Sequence, residues 1–125
     1  MKKRNLKILI VEDNKINQLI LKQLLLNNDH LVFVAENGQK AIEEVGTNNF
    51  DIILMDLMMP VMNGFDATKE IRRTETKRIP IVAVTSNILN NEEIRCQELG
   101  MDGFIAKPIS AYHLKNAFAQ VGLLF

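Results

Sequence analysis

The sequence contains little cysteine and no excess of charge of either sign. Its single cysteine, Cys96, excludes an internal disulfide and a zinc site built from several cysteines. This usage fits a reducing compartment. Fifteen basic and fifteen acidic residues leave a formal net charge of zero. Such a balance argues against a broad surface for binding nucleic acid, and we expect no direct contact with nucleic acid.

Long apolar runs are also missing. The run Ile8–Val11 follows a basic N-terminus, as in a signal peptide, but Glu12 and Asp13 end it too early and no cleavage site follows. No stretch approaches the roughly 18 apolar residues that a membrane span requires. Linkers, repeats and low-complexity tracts are absent as well. We therefore predict one soluble domain over residues 1–125, located in the cytoplasm and not inserted in a membrane.

Short apolar runs alternate with helical spacing five times along the chain. The runs predict strands over Leu6–Val11, Leu31–Ala35, Ile52–Met55, Ile79–Val84 and Gly103–Ala106. Helices are predicted over about 15–26, just after Asn37-Gly38, from Gly64 to about Arg73, over about 90–99, and after Ser110. A turn at Asn27-Asn28-Asp29 closes the first helix. This alternation predicts an α/β fold, a doubly wound parallel sheet of five strands with helices on both faces.

Helical spacing also predicts which side chains face the core. In the first helix the predicted inward residues are Ile16, Leu19, Ile20, Gln23 and Leu24, with Leu21, Leu25 and Leu26 widening the stripe. In the weakly apolar fourth helix they are Ile94, Cys96 and Leu99.

Polar residues collect where the predicted strands end. Glu12 and Asp13 follow the first strand, and Asp56 ends the third. Thr85 follows the fourth strand and Lys107 the fifth. Ligands of open α/β sheets bind beyond the carboxyl ends of the strands, and parallel strands place all these ends at one edge. If those four strands are neighbours, the side chains meet in one shallow pocket.

The chemistry of this set indicates phosphoryl transfer. Three close carboxylates repel one another unless a cation intervenes or a pKa rises. Oxygen ligands of this kind suit Mg²⁺. A carboxylate, a divalent ion, a hydroxyl and an ammonium around one point would stabilise a phosphoryl group. Asp56 would then attack phosphorus and form an aspartyl phosphate, which requires no histidine base.

Several motifs resemble the receiver domain of two-component response regulators over nearly the whole chain. They are Val11-Glu12-Asp13-Asn14, Met55-Asp56-Leu57-Met58-Met59-Pro60-Val61-Met62-Asn63-Gly64, Ala83-Val84-Thr85-Ser86 and Phe104-Ile105-Ala106-Lys107-Pro108-Ile109. The segment Val11–Gln18 resembles in particular the receivers of hybrid sensor kinases and phosphorelays. The resemblance implies a flavodoxin-like strand order of 2-1-3-4-5.

The resemblance also implies the role of each site residue. Asp56 would take a phosphoryl group from a phosphohistidine. Mg²⁺ or Mn²⁺ would be held by Glu12, Asp13, Asp56 and the backbone carbonyl of Met58. Thr85 would hydrogen-bond the phosphoryl group and Lys107 would pair with it.

A switch is implied by the same resemblance. Phe104, which stands where tyrosine is commoner, would turn inward as Thr85 moves. This change would reshape the face formed by the fourth helix, the fifth strand and the fifth helix, to regulate a partner or to form a homodimer. Lys107-Pro108 is expected to be a cis peptide bond.

The expected function is therefore a phosphorylation-controlled signalling switch. Its partners would be a sensor histidine kinase, a histidine-phosphotransfer domain, or both. The alternative is a receiver-like interaction module that works without phosphorylation. An aspartate-nucleophile phosphatase is a further hypothesis. Such an enzyme needs a general acid two residues after the nucleophile, where this chain has Met58, which cannot transfer a proton. We therefore expect the domain to promote only its own phosphorylation and dephosphorylation and not to be an enzyme for outside substrates.

Overall fold

A computed structural model describes residues 5–26, 29–86 and 92–124, in which strands and helices alternate. The strands are β1 (Lys7–Val11), β2 (Leu31–Ala35), β3 (Ile52–Asp56), β4 (Ile81–Thr85) and β5 (Gly103–Ala106). The helices are α1 (Lys15–Leu26), α2 (Gly38–Thr47), α3 (Gly64–Thr74), α4 (Glu92–Glu98) and α5 (Ala111–Gln120). The predicted turn at Asn27-Asn28 and the predicted start of the fourth helix near Asn90 lie outside the described residues. Within the described parts of the chain, no helix is long and apolar enough to cross a bilayer.

All neighbouring strands are parallel, in the order β2-β1-β3-β4-β5. This order confirms the one that the resemblance implies. The register places Val11 beside Met55, Asp56 beside Val84 and Thr85 beside Ala106. The carboxyl ends of β1, β3, β4 and β5 therefore lie at one edge of the sheet.

The sheet separates two apolar clusters because side chains alternate between its faces. On one face, Leu9, Met55 and Ile81 pack with residues of α2, α3 and α4. On the other face, Ile10 and Leu54 pack with residues of α1 and α5. Burial on both faces explains why the central strands are almost continuously apolar.

The predicted inward stripe of α1 is right for Leu21 and Leu25 and wrong for several of its other residues. Its core-facing residues are Gln18, Leu21 and Leu25. The outward residues include predicted members of the stripe, and their exposed fractions are 69% for Ile16, 59% for Leu19, 47% for Ile20 and 49% for Leu26. Gln23, also predicted inward, is exposed, and Leu24 is half-buried. With this face inward, the buried amide of Gln18 donates to the carbonyl oxygen of Glu12 at 2.7 Å.

Two further predictions need correction. In α4 Cys96 is buried as predicted, but Ile94 is exposed; Leu99, just after the helix, is half-buried and packs against the core. Strand β4 begins at Ile81 rather than Ile79. Pro80 has no N–H to donate, and it joins the sheet only through its carbonyl, which accepts from Ile53 N–H at 2.9 Å.

A polar network lies at the end of the sheet away from the carboxyl ends of the strands. Arg72 of α3 donates to the carbonyl of Gly100 at 3.0 Å and pairs with Asp102 at 2.9 Å. Arg78 pairs with Oδ1 of Asp102 at 2.6 Å. Oδ2, the oxygen that Arg72 contacts, also accepts from Ile81 N–H at 2.9 Å. These bonds fix the connection from α4 to β5 against α3 and β4. Gly100 has a φ of +94°, a conformation that favours glycine where a helix ends.

Candidate functional site

Three carboxylates meet at the carboxyl edge of the sheet. One oxygen from each of Glu12, Asp13 and Asp56 lies within 4.8 Å of the others. Glu12 and Asp56 are buried, whereas Asp13 is exposed. The backbone of Glu12 is held by its N–H, which donates to the carbonyl of Ala35 in β2 at 3.0 Å. The strand ends thus bring together the acidic residues that the sequence pattern selected.

Lys107 supplies the positive charge of the site. It follows β5, and its N–H donates to the carbonyl of Thr85 at 2.8 Å. Its Nζ lies 2.9 Å from Oε1 of Glu12 and 3.6 Å from Oδ2 of Asp56. The ammonium therefore bridges two of the three carboxylates. The peptide bond between Lys107 and Pro108 is cis, as the resemblance implied.

The two buried carboxyl groups have opposite pKa shifts. Burial, followed by the negative charge of Glu12, raises the pKa of Asp56 to about 7, against the attraction of Lys107. Burial also acts to raise the pKa of Glu12, but hydrogen bonds from Lys107 and from the N–H of Asn14 outweigh it and hold that pKa below its ordinary value. The opposite shifts favour a proton on Asp56 and a negative charge on Glu12 when the pH is below about 7.

This donor set fits Mg²⁺. It consists of carboxylate oxygens, which are hard ligands, and exposed Asp13 leaves one side open to the waters that Mg²⁺ retains. A divalent cation would also offset the burial and the repulsion from Glu12 that together raise the pKa of Asp56. Glu12, Asp13 and Asp56 are thus the residues that could hold the ion. The Met58 carbonyl as a further ligand stays a prediction.

Residues 57–63, here called the acceptor loop, connect β3 to α3. Met58 N–H donates to Oδ1 of Asp56 at 3.2 Å, and the Met58 side chain is 62% exposed. Gly64 closes the loop against the strand end, and a Cβ at this position would overlap the carbonyl oxygen of Asp56. The side chain of Asn63 accepts from Asp66 N–H and caps α3. Asp56 is therefore not the cap of this helix, and its carboxylate faces the site.

The two residues predicted to switch lie on the same face of the sheet. Thr85 is fully buried and pairs with Ala106, two residues after Phe104 on β5. Phe104 pairs with Ala83, is half-buried and packs against the cluster that includes α3 and α4 residues. Since side chains two residues apart share a face, Phe104 is a diagonal neighbour of Thr85. Their roles in switching stay predictions.

Gln18 belongs to the surroundings of the site, although the sequence pattern did not select it. Its amide bonds the backbone of Glu12 from the core side of α1. The only available signal was a polar residue among the leucines and isoleucines of this helix.

Comparisons with known proteins agree with this geometry. The family model of the response regulator receiver domain matches residues 8–119. The chain belongs to the response regulator receiver family. It is 43% identical over 121 residues to the hybrid signal transduction histidine kinase A of Dictyostelium discoideum. That match covers 93% of this receiver domain and 6% of the kinase, so the chain spans only a small part of its relative's length.

Solved receiver structures share the fold. The receiver domain of the sensor histidine kinase PA1611 from Pseudomonas aeruginosa is 33% identical, with a TM-score of 0.85 and coverage of 95% of this chain and 99% of that one. That structure has a magnesium ion coordinated in its active-site cleft. The chemotaxis protein CheY4 of Vibrio cholerae is 25% identical, with a TM-score of 0.86 and coverage of 94% and 99%. The acidic cluster of this receiver domain occupies the sheet edge at which such folds bind their ligands.

Proposed function

We propose that this receiver domain accepts a phosphoryl group on Asp56 from a phosphohistidine and acts as a signalling switch. The observation that carries the proposal is the meeting of three carboxylates with one lysine, whose Nζ lies 3.6 Å from Asp56. Hybrid histidine kinases among its relatives support a histidine-bearing donor, either a sensor kinase or a histidine-phosphotransfer domain.

Each residue has a defined part in the transfer. An oxygen of the ionised Asp56 carboxylate forms the new P–O bond while the P–N bond to the donor imidazole breaks, and the imidazole takes up a proton from solvent as it leaves. Mg²⁺, when bound, offsets charge on the phosphoryl oxygens. The ammonium of Lys107 shifts from the carboxylates to pair with the attached phosphoryl group, and the hydroxyl of Thr85 donates a hydrogen bond to the same group. Because positioning and electrostatics dominate phosphoryl transfer, no general base is needed.

The output follows from charge added at one edge of the sheet. A phosphoryl group brings nearly two negative charges, which would draw Thr85 toward Asp56 and let Phe104 change its packing. The affected surface is the face of α4, β5 and α5, where Ile94 and Tyr112 are 56% and 70% exposed. This face would contact the regulated partner or a second copy of the chain. Unchanged amide shifts of Phe104, Ile94 and Tyr112 on addition of beryllofluoride and Mg²⁺ would contradict this output.

The outward face of α1 is the proposed contact for the phosphohistidine donor. The donor must cover the mouth of the site to bring its imidazole to Asp56. A cleft of about 100 Å³ beside the mouth is lined by Glu12, Ile20 and Lys107, among others. Leu19 and Ile20 expose apolar surface on the same helix, which would pack against the donor. Leu19→Ser should slow transfer from a phosphohistidine donor but not from acetyl phosphate, and Ile94→Ser is the control on the opposite face.

The domain would act on itself and not on outside substrates. Met58 stands where an aspartate-nucleophile phosphatase would need a general acid, and a thioether cannot donate a proton. Steady release of phosphate from a small phosphoester such as p-nitrophenyl phosphate would overturn this view.

Acetyl phosphate and Mg²⁺ test the central step. The protein should gain about 80 Da, the mass of one phosphoryl group, and Asp56→Asn should abolish the gain. Asp66→Asn, an exposed aspartate in the first turn of α3, is the matched control and should keep it. A protein that stays unmodified while the control conditions phosphorylate another receiver would instead favour an interaction module that works without phosphorylation.

A further inference from the structure

Gln18 makes a buried hydrogen bond to the backbone of the metal site. The residue is 9% exposed, and its Nε2 donates to the carbonyl oxygen of Glu12 at 2.7 Å. Glu12 itself is 1% exposed, so water does not compete for this carbonyl. The bond joins the first turn of α1 to the turn that carries both Glu12 and Asp13.

The bonded carbonyl determines where Asp13 lies. The carbonyl of Glu12 and the N–H of Asp13 belong to one planar peptide unit. Holding the carbonyl therefore holds the plane from which the Asp13 side chain departs. Other bonds act on either side of that peptide or on the side chain of Glu12. After the peptide, the carbonyl and the side chain of Asn14 accept from Gln18 N–H and Asn17 N–H. Ala35 accepts from the Glu12 N–H, and the carboxylate of Glu12 accepts from Lys107 and from Asn14 N–H.

Asp13 needs such support because its own surroundings are open. It is exposed, whereas Glu12 and Asp56 are fixed by burial. An exposed carboxylate keeps one position only if the backbone that carries it is itself held in place. Groups that orient metal ligands from behind commonly change metal affinity by about 10- to 100-fold when they are replaced.

We infer that Gln18 is a positioning residue for the Mg²⁺ site, because its amide fixes the Glu12–Asp13 peptide and so the orientation of Asp13. The inference rests on the metal binding of the proposed function and adds to it a residue outside the carboxylate cluster. Gln18 does not touch the ion or the phosphoryl group, and it acts through the backbone alone.

The test compares Mg²⁺ affinity with stability. Gln18→Met keeps the length and shape of the side chain and removes the donor. Gln23→Met makes the same exchange at an exposed position of α1. Leu114→Ala weakens the core at α5, on a helix that contributes no carboxylate to the site. Mg²⁺ dissociation constants would be measured by amide chemical shifts in a Mg²⁺ titration, and thermal unfolding would be measured in EDTA.

We expect Gln18→Met to bind Mg²⁺ about tenfold more weakly, with the largest shift differences at Asp13 and Asn14. Gln23→Met and Leu114→Ala should stay within about twofold of the unaltered protein, the second despite its lower melting temperature. Gln18→Asn, whose amide is one methylene too short, should be impaired like Gln18→Met and serves if the methionine variant does not fold.

Two results would overturn the inference. One is unchanged Mg²⁺ affinity in Gln18→Met, and the other is an equal loss in Leu114→Ala, which would reduce the effect to general stability. If the unaltered protein binds Mg²⁺ in either case, the proposed metal site stands and only the role of Gln18 falls. If the unaltered protein does not bind Mg²⁺ at all, both fall together.

Discussion

Asp56→Asn should stabilise the metal-free protein at pH 8. The carboxyl of Asp56 is 5% exposed, and burial together with the charge of Glu12 raises its pKa from 3.8 to about 7. A pKa difference of one unit corresponds to about 1.4 kcal/mol. Ionising Asp56 in the folded state therefore costs at most about 4 kcal/mol, and asparagine avoids this cost while keeping an oxygen that can accept from Met58 N–H. We expect a gain of about 2–4 kcal/mol in the free energy of unfolding.

The sign of the pH dependence follows from a pKa that is raised on folding. Below pH 3.8 the carboxyl is protonated in both states, so it costs nothing. Between pH 3.8 and about 7 the folded state keeps its proton while the unfolded state releases it, so stability falls as pH rises. Above about 7 the full cost is present. The advantage of asparagine should thus be largest at pH 8 and less than half as large at pH 5.

Urea unfolding in EDTA at several pH values measures this difference, with Asp66→Asn as the exposed control. Saturating Mg²⁺ should reduce or reverse the advantage, because the ion binds the folded unaltered protein and stabilises it by mass action. Equal stability of Asp56→Asn and the unaltered protein at pH 8, or a gain in stability that does not change with pH, would refute the argument that the buried charge of Asp56 destabilises the fold.

The remaining predictions concern the acceptor loop and the polar network. Met58→Asn should speed hydrolysis of the aspartyl phosphate, because an amide admits water where an apolar side chain impedes it; an unchanged rate of phosphate loss would contradict this. Val61 has a φ of +71° and is 83% exposed. Val61→Gly should therefore relieve strain and stabilise the fold by about 0.5–1 kcal/mol in urea unfolding. Arg72→Met should cost about 2 kcal/mol, since Asp102 and Glu75 lose a partner at 2.9 Å in a mostly buried setting; a loss below 0.5 kcal/mol, roughly that of an exposed pair, would contradict it.

The sequence predicted the site because strand ends are well marked in it. A run such as Ile52–Met55 that stops at Asp56 fixes both a buried strand and a charged end. Parallel topology then brings Asp56 to Lys107, 51 residues later, without any contact being known in advance. Four strand ends had to meet for this prediction to hold, and the sheet order satisfies that condition.

The orientation of the helices was less predictable. Helix α1 is apolar nearly all round, so spacing alone does not determine which side faces the sheet. In the observed orientation Gln18 bonds the carbonyl of Glu12, and a bond between a side chain and a carbonyl outside the helix leaves no periodic trace in the sequence. Ile94 was misplaced for a related reason, since the short α4 buries only Cys96 and its Arg95 stacks over the ring of Phe65. The tie from Arg72 to Asp102 joins residues 30 apart and has no spacing signal either.

The network of Arg72 and Arg78 has a mechanical consequence for α4. It fastens Gly100 and Asp102, just beyond the C-terminal end of that helix, to α3 and β4. Because its C-terminal end is held, α4 is expected to rotate about that end rather than shift as a whole. Any displacement that starts at Thr85 would therefore grow along α4 from Glu98 back to Glu92, so that the widest sweep occurs at the end farthest from the arginines.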